Sequence, residues 1–232
     1  ESFTPTPTPT PPQVSVSQCL CMRLPLPLKL AVASPSLSLL LLSPLSLPLR
    51  AVLSRMGARM SASTPVIAPS LQGTHSQDTH TACFAAGCFW GVESTFRSLG
   101  DGIKWTGVGY TDGHKENPTY EEVCRKDTGH AEAVLLEFDP NTITYAELLD
   151  AFFSSHDPTQ LNRQGPDRGT QYRTGIYYFN EEQRQQAEDA KEEAQKKHAS
   201  PIVTEIKPAS NFWMAEEYHQ QYFEKRGGGS CH

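Results

Sequence analysis

From Thr79 onward, hydrophobic and polar positions alternate in short, regular runs. "TACFAAG" (Thr81–Gly87) is an apolar run closed by glycine, which predicts a buried strand. Phe89, Val92, Phe96 and Leu99 then recur every three to four residues, the spacing of one helical face across Cys88–Leu99. "IKWTGVGY" (Ile103–Tyr110) and "EAVLLEF" (Glu132–Phe138) read as strands, the second with Val134, Leu136 and Phe138 on one face. Thr144 and Glu147 form a capping box ahead of Leu148, Leu149, Phe152 and Phe153. "YRTGIYYF" (Tyr172–Phe179) predicts another strand. Asn180 with Gln183 predicts the cap of a charged, alanine-faced helix running to about His198, and "IVTEI" (Ile202–Ile206) predicts a last short strand. The order β-α-β-β-α-β-α-β points to an α+β fold, a two-layer sandwich with a mixed sheet and a split-βαβ (ferredoxin-like) core. Two long loops, Thr111–His130 and His156–Gln171, hold most of the His, Asp, Gly and Pro of this body. Loops of that length in a compact domain usually carry function.

Residues 1 to about 75 follow no such pattern. "TPTPTPTPP", "LPLPLKL" and "SPSLSLLLLSPLSLPL" are too rich in proline for helix or central strand. No acid occurs between Ser2 and Gln77, while Ser and Arg are plentiful, so the stretch reads as an unstructured organelle transit peptide, with plastid delivery expected. Two alternatives stand beside it. One is a secretory core at Leu37–Leu42, interrupted by Ser43, Pro44 and Pro48 and too short to span a bilayer. The other is translation from Met56 or Met60, which leaves a cytoplasmic protein. The expected division is therefore a leader over 1–75 and one domain over 76–232, with a flexible coil tail from 227.

Charge sharpens the division. Five basic residues and a single acid, Glu1, lie in the first 60 positions, and 15 basic against 25 acidic residues lie beyond them. An acidic body without a basic stripe argues against nucleic acid as a partner. A monomer that binds no membrane is the default expectation. The six cysteines (Cys19, Cys21, Cys83, Cys88, Cys124, Cys231) are too few for a disulfide scaffold and suit one or two reactive thiols in a reducing compartment.

One of them stands apart. In "AAGCFWGVESTF" (Ala85–Phe96), Cys88 lies where the first strand hands over to the first helix. Free N–H groups and the positive dipole end at a helix start favour a thiolate. The flanking Gly87 and Gly91 permit a tight turn and close approach to the sulfur, with Phe89 and Trp90 as walls of an apolar pocket. The competing reading is a small buried cysteine on an aromatic core helix. A nucleophile needs a proton donor, and Glu132, directly after a Gly-His turn at a strand start, is a candidate acid if burial keeps its carboxyl neutral. Its competing reading is a surface glutamate on an edge strand. Asp167 and Tyr172 flank the glycine-rich turn of "NRQGPDRGTQYR" and are either donors in a site or ordinary turn residues. His130, His156 and His219 read as structural.

Other chemistries fit less well. "HAE" (His130–Glu132) begins a zinc deaminase signature, but no Pro-Cys-x-x-Cys follows, and no cysteine pairs are spaced for zinc. A cysteine hydrolase using Cys88 with His130 remains open, as does a redox-sensing binding protein without turnover.

Five blocks, "GCFWG" (Gly87–Gly91), "GYTDGHKENPTYEEVC" (Gly109–Cys124), "TGHAEAV" (Thr128–Val134), "HDPTQLNRQGPDRGTQYR" (His156–Arg173) and "AEEYHQQY" (Ala215–Tyr222), together resemble the peptide methionine sulfoxide reductase A family. The likeness spans Thr81–Cys231 and leaves the leader out. It implies reduction of the S epimer of methionine sulfoxide, free or in oxidised proteins, without metal or flavin. Carried over by motif, Cys88 is the nucleophile, Glu132 the acid that protonates the sulfoxide oxygen, and Tyr120 and Tyr172 the hydroxyls that bind it. Asp167 is a supporting polar residue, and Phe89 and Trp90 seat the S-methyl group. The implied cycle leaves Cys88 as a sulfenic acid, which a second cysteine resolves to a disulfide that thioredoxin, or dithiothreitol in vitro, reduces. Cys231, beyond Gly227–Gly229, is the expected resolver by tethered reach, Cys124 the runner-up, and Cys83 a buried bystander.

Overall fold

A computed structural model describes residues 79–227 and the short strand Val66–Ile67, and structural statements below concern these residues. The remainder of the expected leader, the alternative starts Met56 and Met60, and Cys19, Cys21 and Cys231 lie outside them.

In chain order the elements are β1 (Val66–Ile67), β2 (His80–Ala86), α1 (Phe89–Arg97), β3 (Ile103–Thr111), α2 (Tyr120–Cys124), β4 (Ala131–Phe138) and α3 (Tyr145–Ser155). A small ribbon of β5 (Arg163–Gln164) and β6 (Asp167–Arg168) follows, then a 3-10 turn at Thr170–Tyr172. β7 (Thr174–Tyr178), α4 (Glu181–Gln195), β8 (Glu205–Pro208), β9 (Asn211–Met214), a second 3-10 turn at Glu217–His219 and α5 (Tyr222–Lys225) complete the chain. Seven strands form one mixed sheet in the order β1-β9-β3-β4-β2-β7-β8, antiparallel throughout except for the parallel β7–β8 pair. Among the described residues no helix is long and apolar enough to cross a membrane.

Alternation along the central strands builds two cores. Ala82, Phe84, Val108, Val134, Leu136 and Ile176 face Val92 and Phe96 of α1, Leu148, Leu149 and Phe152 of α3, and Ala187 of α4. Phe84 is the hub, with ring centroids of Phe96 and Phe152 at 4.9 and 5.3 Å. Cys83, Ala85, Ala133, Leu135, Tyr177 and Phe212 make a smaller cluster on the opposite face. β4 is therefore buried along its whole length, and a polar residue there is held away from water.

Both expected caps are present: Thr144 and Glu147 exchange bonds ahead of α3, and Asn180 accepts from the Gln183 N–H at 2.8 Å. Four expectations shift. Tyr172 leaves the strand for the 3-10 turn, because Gly169 at φ 148° redirects the chain before β7 begins. The last predicted strand slides to Glu205–Pro208, since the N–H groups of Ile202 and Val203 are taken by Gln195 Oε1 and Pro158 O. Val66 and Ile67, inside the stretch assigned to the leader, pair with Phe212 and Asn211 on the sheet edge. A β-branched pair flanked by Pro65 and Pro69 suits an edge, where proline is tolerated. α2 opens on a second capping box, Thr119 with Glu122, inside a stretch that apolar periodicity leaves as loop.

Candidate active site

Strand β2 ends at Ala86, and Gly87 at φ +95° turns the chain into α1. Cys88 occupies the N-cap, half-buried, and its carbonyl accepts the N–H groups of Gly91 (3.2 Å) and Val92 (3.4 Å). This is the strand-to-helix junction expected from the sequence, with the thiol at the positive end of a two-and-a-half-turn helix.

The turn is packed from above by the β5–β6 ribbon. A Cβ on Gly87 would come within 2.6 Å of Gln164 Cβ. Gln164 in turn is held by both ends of its amide, accepting from Asp157 N (3.3 Å) and donating to Asp157 O (3.1 Å). Bonds from Thr159 and Gln160 fix the Asp157 carboxyl and hold it down at about 2. Directly across the ribbon from Gln164 stands Asp167, so the ribbon brings that predicted residue to the cysteine's turn.

Glu132 is 1% exposed on β4, between β3 and β2. It pairs in register with Tyr110, and continuing the Phe84–Val134 register places it beside Ala86. Its Oε2 accepts the N–H of Phe89 at 3.2 Å. The carboxyl thus sits one peptide unit from the thiol, and the surface, edge-strand reading of Glu132 is excluded by its position.

An aromatic wall continues from Phe89. Its ring, 1% exposed, lies 6.2 Å from Trp90, 5.9 Å from Tyr110 and 5.2 Å from His219. Trp90 Nε1 donates to His219 Nδ1 at 3.0 Å, and the indole stacks on Tyr222 at 3.7 Å. Accepting through Nδ1 puts the His219 proton on Nε2, which faces Glu216 Oε2 at 3.9 Å. Burial pushes His219 down to about 4, outweighing the opposing pull of Glu216, so the ring is neutral. Glu216 accepts from Tyr110 Oη (3.0 Å) and from the N–H of Tyr120 (2.9 Å), and the Tyr120 ring packs 4.4 Å from His219. This segment is pinned to the body by Gln220, bonded to Val108 N and O at 2.9 Å each, and by buried Glu93, which accepts from Thr106 Oγ1 and Gln221 N at 2.9 Å each. Burial, partly offset by those bonds, raises the Glu93 carboxyl above its usual value.

Tyr172 ends its 3-10 turn two residues before Thr174, which pairs with Ala86. Tyr172 therefore enters the sheet at the end of β7 that pairs with the last residue of β2, two positions before Cys88. His130 instead braces a loop. Its Nε2 lies 2.7 Å from Lys115 O, and its ring is roofed by Gly113, where a Cβ would meet Cγ at 2.4 Å. Cys83 is 3% exposed and its thiol is pushed far up by burial, while Cys124 closes α2, half-buried. Among the described residues no group of three or more His, Cys, Asp or Glu is placed to hold a metal ion. Cys88, Phe89, Trp90 and Glu132 are thus joined along the start of α1, Tyr120 reaches them through His219 and Glu216, Asp167 through Gln164, and Tyr172 lies two residues before β7. Sequence reasoning missed Gln164, Glu216 and Tyr222 and took His219 as merely structural. The one advance signal for Glu216, His219 and Tyr222 was the dense His, Tyr and Gln content of "AEEYHQQY", and Gln164 had none beyond its place in a glycine-rich turn.

Residues 80–232 match the profile of the family described as peptide methionine sulfoxide reductase. The peptide methionine sulfoxide reductase MsrA of Geobacter sulfurreducens is 59% identical over 152 residues, 65% of this chain and 93% of its own length. A peptide methionine sulfoxide reductase of Solanum lycopersicum is 50% identical over 172 residues, 74% and 87% of the two chains. Among solved structures, reduced Mxr1 from Saccharomyces cerevisiae superposes with a TM-score of 0.63 at 40% identity, covering 68% of this chain and 91% of that one. Methionine sulfoxide reductase A of Corynebacterium diphtheriae gives 0.63 at 39%, covering 67% and 79%. The chain is an oxidoreductase that belongs to the peptide methionine sulfoxide reductase A family.

Proposed function

We propose that this protein reduces the S epimer of methionine sulfoxide, free or within oxidised proteins, through a Cys88 sulfenic acid. The observation that carries the reading is the Glu132 carboxyl bound to the Phe89 amide, one residue from a helix-capping thiol and beside an aromatic wall. The Cys88 thiolate attacks the sulfoxide sulfur while Glu132 gives its proton to the oxygen, making it a leaving group. Tyr120, Tyr172 and Asp167 steady the sulfoxide oxygen, and Phe89 and Trp90 seat the methyl group, whose fit selects the epimer. The attack joins the Cys88 sulfur to the methionine sulfur as the protonated oxygen departs as water; water then attacks the Cys88 sulfur and breaks that S–S bond, so the thiol becomes Cys88–SOH, methionine leaves and one proton is released. No metal or flavin takes part.

Resolution follows by attack of a second thiol on the sulfenic acid, forming a disulfide and releasing water. We assign this step to Cys231. Tyr222 stacks on Trp90 and Arg226 lies 4.4 Å over the Tyr222 ring. Glycine-rich linker scaling gives a five-residue segment a reach of about 12 Å. A thioredoxin dithiol then reduces the disulfide. The supporting frame is read as a split βαβ unit, β2-α1-β3 and β4-α3-β7, with neighbours β3-β4-β2-β7.

The test offers each epimer of a blocked methionine sulfoxide to the protein with dithiothreitol, then repeats it for Cys231→Ser with thioredoxin. Reduction of the S epimer alone is expected, as is a single stoichiometric turnover for Cys231→Ser. Ester cleavage in place of reduction would return the hydrolase reading, and unimpaired turnover by Cys231→Ser would move resolution to Cys124.

A further inference from the structure

Arg173 follows Tyr172 directly, and only 8% of it is exposed. Its guanidinium uses all three nitrogens. Nη1 donates to Thr170 O at 3.0 Å, Nη2 to Asp112 O (3.2 Å) and Asp112 Oδ2 (2.9 Å), and Nε to Glu205 Oε2 at 3.3 Å. Thr170 O also accepts the Arg173 backbone N–H at 3.3 Å, so the turn that ends in Tyr172 is closed by backbone and side chain of one residue. Asp112, at φ 56°, begins the loop that leads to Tyr120. The two loops bearing candidate hydroxyls, Tyr120 and Tyr172, are therefore tied together through one planar fork. Lys207 belongs to the same ion cluster, 2.8 Å from both Asp112 Oδ2 and Glu205 Oε2. It bridges those two carboxylates, whereas Arg173 reaches the turn itself.

We propose that Arg173 is a positioning residue for sulfoxide reduction, acting through Tyr172. Pinning Thr170 O to Asp112 sets where the Tyr172 hydroxyl stands relative to Cys88. The inference rests on the function proposed above. Lysine preserves the charge but not the fork, and it cannot hold a carbonyl, a second carbonyl and two carboxylates in one plane. A hydroxyl displaced by about an ångström loses much of its effect on the reaction.

A double-mutant cycle tests this. kcat/KM for the S epimer of a blocked methionine sulfoxide is measured with dithiothreitol for the full chain, Arg173→Lys, Tyr172→Phe and the double variant. Rates are normalised to the stoichiometric methionine released in a first turnover. Arg173→Lys is expected to lower kcat/KM by about ten- to a hundredfold beside Tyr172, and less than about twofold beside Phe at that position. Lys207→Met is expected to melt earlier yet keep kcat/KM within about twofold, which separates cluster stability from placement of the turn. Equal losses in both backgrounds, no loss, or a silent Tyr172→Phe would overturn the positioning role and leave the function standing. A full chain that reduces neither epimer would remove both. Should Arg173→Lys not fold, Asp112→Asn takes its place in the same cycle with the same criteria.

Discussion

Replacing Gly87 by alanine should cost both stability and activity, for two separable reasons. At φ +95° a side chain is strained, and residues in such sparsely populated regions cost about 1–3 kcal/mol. The new methyl would also stand 2.6 Å from Gln164 Cβ and 2.9 Å from its Cγ. Overpacking of this kind typically costs about 1–3 kcal/mol. Gln164 cannot swing aside cheaply, because its amide is bonded at both ends to the backbone of Asp157. The ribbon must lift, carrying Asp167 away from the Cys88 turn. Together the terms come to about 2–6 kcal/mol, a large share of the 5–15 kcal/mol that holds a typical domain. Urea unfolding with a constant m-value reads the stability loss, and methionine release in a single turnover reads the site. Adding Gln164→Gly should return the steric part and not the backbone part, so the double variant is more stable than Gly87→Ala alone. A Gly87→Ala protein within about 0.5 kcal/mol of the parent, turning over at the same rate, would refute the reasoning. So would additivity of the two substitutions, since residues in contact are expected to couple.

Glu132→Gln keeps an acceptor for the Phe89 N–H but has no proton to give; methionine release should slow by about 10²–10⁴-fold without a lower unfolding midpoint, and an unchanged rate would dismiss Glu132 as the acid. His219 supplies a pH signature. Its folded value of about 4 lies below the ordinary 6.5, so in that interval the unfolded chain binds a proton the folded chain refuses. Stability should fall as pH drops from about 6.5 towards 4, by about 3 kcal/mol at about 1.4 kcal/mol per tenfold change. His219→Asn, which keeps an acceptor for the Trp90 indole, should flatten that acid limb, and parallel limbs for the two proteins would contradict the assignment. Native alkylation followed by peptide mapping should label Cys88 well before Cys83, which becomes reactive only on unfolding; equal labelling would mean that the thiol is not sealed in the sheet.

Much of the local architecture is written in short-range rules. The apolar run to Gly87, the helical spacing after Cys88 and the Thr144 and Asn180 caps each concern residues at most a few positions apart, and each appears where expected. The second capping box, at Thr119, obeys the same rule but opens a helix of five residues, too short for an apolar face to announce it. Glu132 was ambiguous for a different reason: a glutamate at a strand start is ordinary on an edge and costly in the middle, and strand order is a non-local property. Its place between β2 and β3 settled the matter.

Periodicity, turn chemistry and capping follow from backbone sterics and side-chain patterning, so the chain alone could name its helices, most strands and the thiol at a helix start. Which groups surround that thiol depends on closure of loops over long separations. Trp90 finds His219 129 positions away, and Glu93 finds Gln221 across 128. Nothing in the spacing of either pair announces the contact. Folding brings them together because the sheet places Ala86, Glu132 and Thr174 side by side, and the C-terminal segment must then bury its rings against the only helix face that offers an indole among the described residues.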